Sequence, residues 1–276
     1  MFTLNCKGKL TIIEQPLVMG ILNVTPDSFF ADSRMNGEDA VLYRAEQMLM
    51  DGATIIDIGG QSTRPGSLLI DEAEEEKRVI PAITALHKRF PEVLISVDTF
   101  YAKVAESAVD AGASIINDVS AGSIDEAMIE TVAKLKVPYV LMHMTGNPQN
   151  MQVNPTYRNV VTEVFDFLNF RIQKLQELGI SDIIVDPGFG FGKTIQHNFE
   201  LLSGLEYFSQ LGKPLLIGLS RKATIYKTLN INAEEALNGT TVLNTISLLK
   251  GAHILRVHDV KEAVQAVKLV SQINMV

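Results

Sequence analysis

The sequence predicts a single-domain α/β protein, a (β/α)8 TIM barrel with a short N-terminal β-hairpin. Three observations carry that reading. Eight short runs rich in Val, Ile and Leu recur along the chain, nearly continuous in apolar character and each ending in polar residues, as parallel strands buried on both faces do. Segments with helical spacing lie between most of these runs, so the strands are joined by crossovers and hairpin topologies are excluded. The 276 residues are filled by eight such units, and barrels of about 250 residues form one domain. An open, doubly wound sheet is the alternative, but the regularity of the eight units favours closure.

In chain order, Thr3–Asn5 and Leu10–Ile12 flank Lys7-Gly8-Lys9 as a hairpin, placed to cover the bottom of the barrel. Strands are expected at Val18–Val24, Thr54–Gly60, Leu94–Thr99, Ser114–Ser120, Pro138–Met144, Asp182–Gly188, Pro214–Ser220 and Ile254–Asp259. Helices are expected at Glu38–Met50, Glu72–Phe90, Ala102–Val109, Glu126–Leu135, Asn159–Leu178 and Val260–Ile273. The clearest is Asn159–Leu178, where Val160, Val161, Val164, Leu168, Ile172 and Leu175 form one apolar stripe. The acidic run Asp71–Glu76 reads as the solvated start of a helix, where negative charge suits the helix dipole.

Composition narrows the function. Lys+Arg 24 against Asp+Glu 32 gives a net charge of −8, which argues against a nucleic-acid surface but allows a local cationic pocket. A hydrophobic share of 46% excludes disorder. Cys6 is the single cysteine, so an intramolecular disulfide is impossible. No leader peptide is visible and no apolar run approaches the roughly 18 residues of a membrane span. A soluble cytoplasmic protein with neither nucleic-acid nor membrane partners is therefore expected.

In such barrels the reactive groups collect at the C-terminal ends of the strands. Those ends read Asn23-Val24-Thr25-Pro26-Asp27-Ser28-Phe29, Gly59-Gly60-Gln61-Ser62-Thr63-Arg64-Pro65-Gly66, Asp98-Thr99, Asn117-Asp118, His143-Met144, Asp186 through Lys193, Ser220-Arg221-Lys222 and Arg256-Val257-His258-Asp259. Nearly every end carries a polar or ionisable group, which stability alone does not require. An internal salt bridge is the alternative use of Asp98 or Asp186, and a core position the alternative for His258. Other motifs fail. Gly188–Lys193 lacks the first glycine of a P-loop, Gly218–Lys222 lacks the final glycine of a nucleophile elbow, and the five histidines show no zinc spacing.

Taken in order, Gly20–Phe29, Asp57–Gly66, Ser96–Thr99, Ile115–Asp118, Leu141–Met144, Asp186–Lys193, Ser220–Lys222 and Arg256–Asp259 resemble the motifs of the dihydropteroate synthases, from about Val18 to the end of the chain. The resemblance implies condensation of 6-hydroxymethyl-7,8-dihydropterin diphosphate with 4-aminobenzoate, with release of pyrophosphate, in folate synthesis. A pterin edge needs carboxylates for its amino-pyrimidine donors, an amide, and a cation near its carbonyl. Asp98, Asn117, Asp186 and Lys222 supply those types. By resemblance Asp186 takes the 2-amino and ring N–H donors, Asn117 and Asp98 the other edge, and Lys222 the oxo oxygen. Arg256 can stack its planar guanidinium on the ring.

The diphosphate set is Asn23, Thr63, Arg64, Arg256 and His258. The family binds Mg2+ through the residue matching Asn23, and such an ion shares substrate phosphates while keeping several waters. Phe29, Thr63, Pro65, Phe189 and Phe191 are the family-matched lining of the aminobenzoate pocket, with Lys222 at its border. Asp98, Lys222 and Arg256 are the expected catalytic residues, in a dissociative displacement helped by charge on the leaving group. The loops Thr25–Gly37 and Gln61–Ser67 are expected to close over the site. A homodimer through the outer helices follows from the resemblance alone, as does membership of the family that is the sulfonamide target in folate synthesis. Two departures stand out. Phe30-Ala31-Asp32-Ser33 replaces the common Ser-Asp-Gly-Gly, and Ala223 replaces a serine that contacts the aminobenzoate carboxylate; a helix N-terminus still offers backbone N–H groups there.

Overall fold

The fold is described from a computed structural model covering residues 1–25, 37–61, 69–146, 151–152 and 154–273. Strands β1 (Phe2–Cys6) and β2 (Lys9–Ile13) pair antiparallel with Cys6 opposite Lys9. The two residues between them, Lys7 and Gly8, have φ of 55° and 86°. Positive φ at both central positions is the turn whose twist matches a hairpin, which is why a glycine follows the lysine.

Eight parallel strands follow: β3 (Leu17–Asn23), β4 (Ile55–Gly59), β5 (Leu94–Asp98), β6 (Ile115–Asp118), β7 (Tyr139–Met142), β8 (Ile183–Asp186), β9 (Leu216–Ile217) and β10 (Ile254–Val257). Their order is β8-β7-β6-β5-β4-β3-β10-β9, and a parallel bridge between Val185 and Leu215 brings the two ends together. The ring is therefore a (β/α)8 barrel, with the hairpin outside it. Helices α1 (Gly37–Met50), α2 (Glu72–Arg89), α3 (Ala102–Ala111), α4 (Met128–Leu135), α5 (Val160–Glu177), α6 (Ile195–Ser203), α7 (Ala223–Leu229) and α8 (Leu237–Leu249) connect the strands, and α9 (Val260–Ile273) follows the last of them. Among the described residues no helix is long and apolar enough to cross a membrane.

Two apolar layers hold the barrel. The main core fills the space between strands and helices; its α5 contribution is the stripe Val160, Val164, Leu168, Ile172 and Leu175. Asn159 starts that helix by accepting from the N–H groups of Val161 and Thr162. A second cluster lies inside the ring at its N-terminal end. Met19, Ile55, Leu94, Ile115, Val140, Ile184, Leu216 and Ile254 point inward there and are capped by Leu4, Cys6 and Ile13 of the hairpin. The hairpin is thus the bottom plug, each large buried side chain contributing about 1.5–3 kcal/mol.

That plug sets the site. Side chains on a strand alternate faces, so the residue two positions after each plug residue also points inward, nearer the C-terminal mouth. Those positions carry Ile21, Asp57, Ser96, Asn117, Met142, Asp186, Gly218 and Arg256, with Asn23, Gly59 and Asp98 one step higher on the longer strands. The chain closes its barrel with hydrocarbon below and gathers its polar and charged groups above, beside Ile21 and Met142.

Candidate active site

Strand register places the mouth residues side by side. Asn23 pairs with Gly59, Gly59 with Asp98, and Asp98 with Asn117. Asp186 pairs with Met142 two strands beyond Asn117, about 10 Å around the ring at the usual strand spacing. Arg256 lies on β10, the neighbour of β3 on its other side.

At the centre is Arg256. Its Nε donates to Asp57 Oδ2 at 2.7 Å and its Nη2 to Asp98 Oδ2 at 2.6 Å. Asn117 Nδ2 donates to the same Asp57 oxygen at 3.1 Å. The guanidinium thereby ties β10 to β4 and β5, and Asp57 ties in β6, in a setting where Asp57 is wholly buried and Asp98 and Asn117 nearly so. Burial pushes the Asp98 carboxyl up, against the opposing pull of Arg256 and with the help of Asp57 and Asp118. Burial works against the Arg256 cation, but Asp57 and Asp98 outweigh it and hold its pKa above the ordinary value.

Facing this network are Asp186 and Lys222. Asp186 Oδ1 accepts from the Gly188 N–H at 2.7 Å, and burial raises its pKa against the Lys222 charge. Lys222 sits just before α7. Its Nζ donates to the Phe189 carbonyl oxygen and lies 4.5 Å from the centre of the Phe191 ring. Burial draws Lys222 down to about 8, with Asp186 pulling the other way.

Two glycines show how tightly the groups converge. A Cβ added at Gly218 would lie 4.0 Å from both Arg256 Cβ and Lys222 Nζ, and one added at Gly59 would lie 3.7 Å from both Asn23 Oδ1 and Asp98 Oδ2. His258 is exposed at the rim rather than in the core, with Ser220 Oγ 3.0 Å from its Nδ1.

The structure thus brings together Asn23, Asp98, Asn117, Asp186, Lys222, Arg256 and His258 at one end of the barrel. Asp98 has both readings at once: it is a partner in an internal salt bridge and a rim group. Phe189 and Phe191 flank Lys222, but the Phe189 ring is buried in the main core and it is the carbonyl that reaches the mouth. Phe29, Thr63, Arg64 and Pro65 lie outside the described residues, as do the Phe30–Ser33 departure and most of the two loops expected to close.

Sequence reasoning missed three members of the site's support. Asp57, the deepest carboxylate, sits two residues before Gly59, and its charge inside an otherwise apolar strand was the available signal. Lys193 is buried and hydrogen-bonded to His143 Nδ1 at 2.9 Å. Glu75 corrects the reading of the acidic run. Asp71 does start α2, accepting from Glu74 N–H at 2.8 Å, but Glu75 is fully buried with Thr99 Oγ1 donating to its Oε2 at 2.7 Å.

Burial lifts the Glu75 carboxyl to about 7, Thr99 opposing and Asp98 adding to the rise. A folded-state pKa above the unfolded value means that the folded state holds the extra proton between the two. Stability from this group is complete below about 4.5 and is lost as pH rises to about 7. Relative to Glu75→Gln, wild type is expected to lose about 2–3 kcal/mol across that window in chemical denaturation. A difference that stays constant with pH contradicts the assignment.

Fold and site together describe a barrel enzyme whose polar groups gather at the C-terminal mouth. The model of the family described as "Pterin binding enzyme" matches residues 19–258. The dihydropteroate synthase of Escherichia coli strain K12 is 44% identical over 266 residues, 96% of this chain and 94% of that one. The Yersinia pestis dihydropteroate synthase, solved with a sulfonamide drug complex, superposes with a TM-score of 0.93 at 41% identity, covering 99% of each chain. The Xanthomonas albilineans enzyme, solved with 4-aminobenzoic acid, gives 0.93 at 39% identity over 99% of this chain and 98% of that one. Solved with 7,8-dihydropteroate it gives 0.90 at 37%, covering 99% of each chain. The chain belongs to the dihydropteroate synthase family of pterin-binding enzymes, and it is a transferase.

Proposed function

We propose that this enzyme condenses 6-hydroxymethyl-7,8-dihydropterin diphosphate with 4-aminobenzoate, giving 7,8-dihydropteroate and pyrophosphate. The observation that carries the reading is the convergence of Asp98, Asn117, Asp186, Lys222 and Arg256 on one small space. Asp186 accepts from the amino-pyrimidine donors, Asn117 and Asp98 meet the opposite ring edge, and Lys222 donates to the oxo oxygen. Arg256, held in one plane by Asp57 and Asp98, offers a flat face to the ring.

The bond from the exocyclic carbon to the diphosphate oxygen breaks first, its electron pair leaving with pyrophosphate. The electron-rich ring and the Asp98 carboxylate stabilise the cation left behind. The neutral aryl amine then forms the new C–N bond and gives up its proton to solvent. Asn23, Arg256 and His258, with Thr63 and Arg64, receive the leaving group. Phe29, Pro65 and Phe191 are the side chains proposed to enclose the aminobenzoate, with Lys222 at the border; Phe189, its ring in the main core, contributes its carbonyl to Lys222 instead.

The residues present fit Mg2+ as one hard-oxygen contact. Asn23 Oδ1 faces the mouth across Gly59 from an Asp98 oxygen, and among the described residues no cluster of three His, Cys, Asp or Glu could enclose an ion by itself. Asn23 would hold such an ion, which by its preference for hard oxygens would also take substrate oxygens and water. When bound it supplies positive charge to the departing diphosphate.

A homodimer is part of the same proposal. Its support is the exposure of Val242 and Leu249 on α8 and of Leu269 and Ile273 on α9, beside a groove between those helices. Sedimentation of the purified protein as a monomer would remove that part.

The test is pyrophosphate release from the dihydropterin diphosphate with 4-aminobenzoate and Mg2+. Release that requires the pterin substrate and is lost on chelation is expected. A slow release without aminobenzoate would support bond breaking before attack. No release under any of these conditions overturns the reaction.

A further inference from the structure

The turn between β8 and α6 is wound around a buried lysine, Lys193, whose pKa burial draws down to about 7 against the pull of Asp186. Lys193 Nζ reaches back to the Gly188 carbonyl oxygen at 2.9 Å and the Phe191 carbonyl oxygen at 3.1 Å. From the end of the neighbouring strand β7, His143 meets it with Nδ1 at 2.9 Å. The charged and titratable groups around it are Asp186 on β8, Lys222 beyond β9 and His143 after β7. Among the described residues no carboxylate oxygen pairs with it. A buried ammonium without an ion pair is costly unless every donor is used. Here the acceptors are the carbonyls of the turn and a ring nitrogen that burial keeps neutral, its pKa drawn down to about 3.

What the turn carries is the surroundings of Lys222. The Phe189 carbonyl accepts from Lys222 Nζ, the Phe191 ring lies beneath it at 4.5 Å, and a Cβ added at Gly190 would stand 3.1 Å from Lys222 Cδ. The same glycine is fixed from outside, its N–H donating to Asn198 Oδ1 at 2.8 Å and its carbonyl accepting from Gln152 Nε2 at 2.6 Å. Three successive residues of one turn therefore bound the Lys222 side chain.

We propose that Lys193 is a positioning residue, whose Nζ winds the Gly188–Gly192 turn and so fixes where Lys222 stands in the mouth. Lys193 touches no substrate; it acts through Lys222. This rests on the reading of Lys222 as a pterin-binding group. The alternative is that Lys193 only stabilises the fold, in which case its effect is independent of Lys222.

A double-mutant cycle separates the two, read by calorimetric affinity for a pterin and by kcat/KM for pyrophosphate release. Lys193→Met keeps the methylenes and removes the donors. It is expected to lower pterin affinity about tenfold, and Lys193→Met with Lys222→Met is expected to bind no more weakly than Lys222→Met alone. Losses that multiply in the double variant, or Lys193→Met with wild-type affinity, overturn the proposal. If Lys193→Met does not fold, Lys193→Gln, which keeps one donor group, is expected to show the same lack of additivity. Wild-type protein that binds pterin but releases no pyrophosphate overturns the reaction proposed above, and the affinity cycle still decides the role of Lys193.

Discussion

Arg256→Met is expected to destabilise the fold by roughly 3–5 kcal/mol and to abolish pyrophosphate release. The reason is the company Arg256 keeps. Its guanidinium is the shared donor for Asp57 Oδ2 and Asp98 Oδ2, in a mouth where Asp57 is wholly buried and Asp98 is 7% exposed. Methionine fills much of the volume but leaves two carboxylates facing each other without a cation. An uncompensated buried charge is what makes breaking such a pair far more harmful than never having it. The deficit is tied to ionisation, so it should shrink as pH falls and Asp98, whose carboxyl burial already pushes up, takes up a proton. Denaturant unfolding at two pH values checks this. A loss below about 1 kcal/mol at pH 7 would show that the network contributes no more than an exposed pair.

Asp186→Ala is expected to weaken pterin binding by about 1.5–3 kcal/mol, roughly 10- to 150-fold, the range for hydrogen bonds to a charged group. Asp186 is nearly buried, its Oδ1 is anchored by the Gly188 N–H, and Lys222 offsets the burial that opposes its charge. A buried carboxyl in a mouth with another carboxyl and an amide is suited to donors on a flat ring. Calorimetric titration with a pterin reads the effect, and a thermal melt of the same sample shows whether the barrel is intact. Unchanged affinity in a folded variant would remove Asp186 from the pocket.

Much of the barrel was legible because a strand buried on both faces cannot hide its apolar run. The ends were less so. The runs drawn through Thr99, Ser120 and Ser220 overshoot, and β9 shrinks from Pro214–Ser220 to Leu216–Ile217. Leu219 and Ser220 stay buried after the backbone has left the ladder, and hydropathy registers burial rather than pairing. Helices α6, α7 and α8 were not marked. α8 is Leu-Asn-Gly-Thr-Thr-Val-Leu-Asn-Thr-Ile-Ser-Leu-Leu, and its glycine, β-branched and short polar residues are weak helix formers that packing overrides.

The mouth residues were found because polar groups at strand ends have no structural reason to recur. Their supports were harder. Glu75 lies four residues before Val79, and with Ile83 and Leu86 they form the buried face of α2. That spacing was in the sequence, but a run of six residues with five acids hides one buried member. Asp57 and Lys193 were passed over because a side chain that holds another side chain has no spacing signature. Only the fold brings Asp57 to Arg256 across 199 positions.

The most direct measurement is a crystal structure of the protein soaked with a pterin. The account predicts the ring in the mouth, its amino-pyrimidine edge on Asp186, Asn117 on the opposite edge and Lys222 at the oxo group. A ring bound elsewhere, or seated in the mouth with Asp186 and Asn117 both more than hydrogen-bond distance from it, would contradict the account.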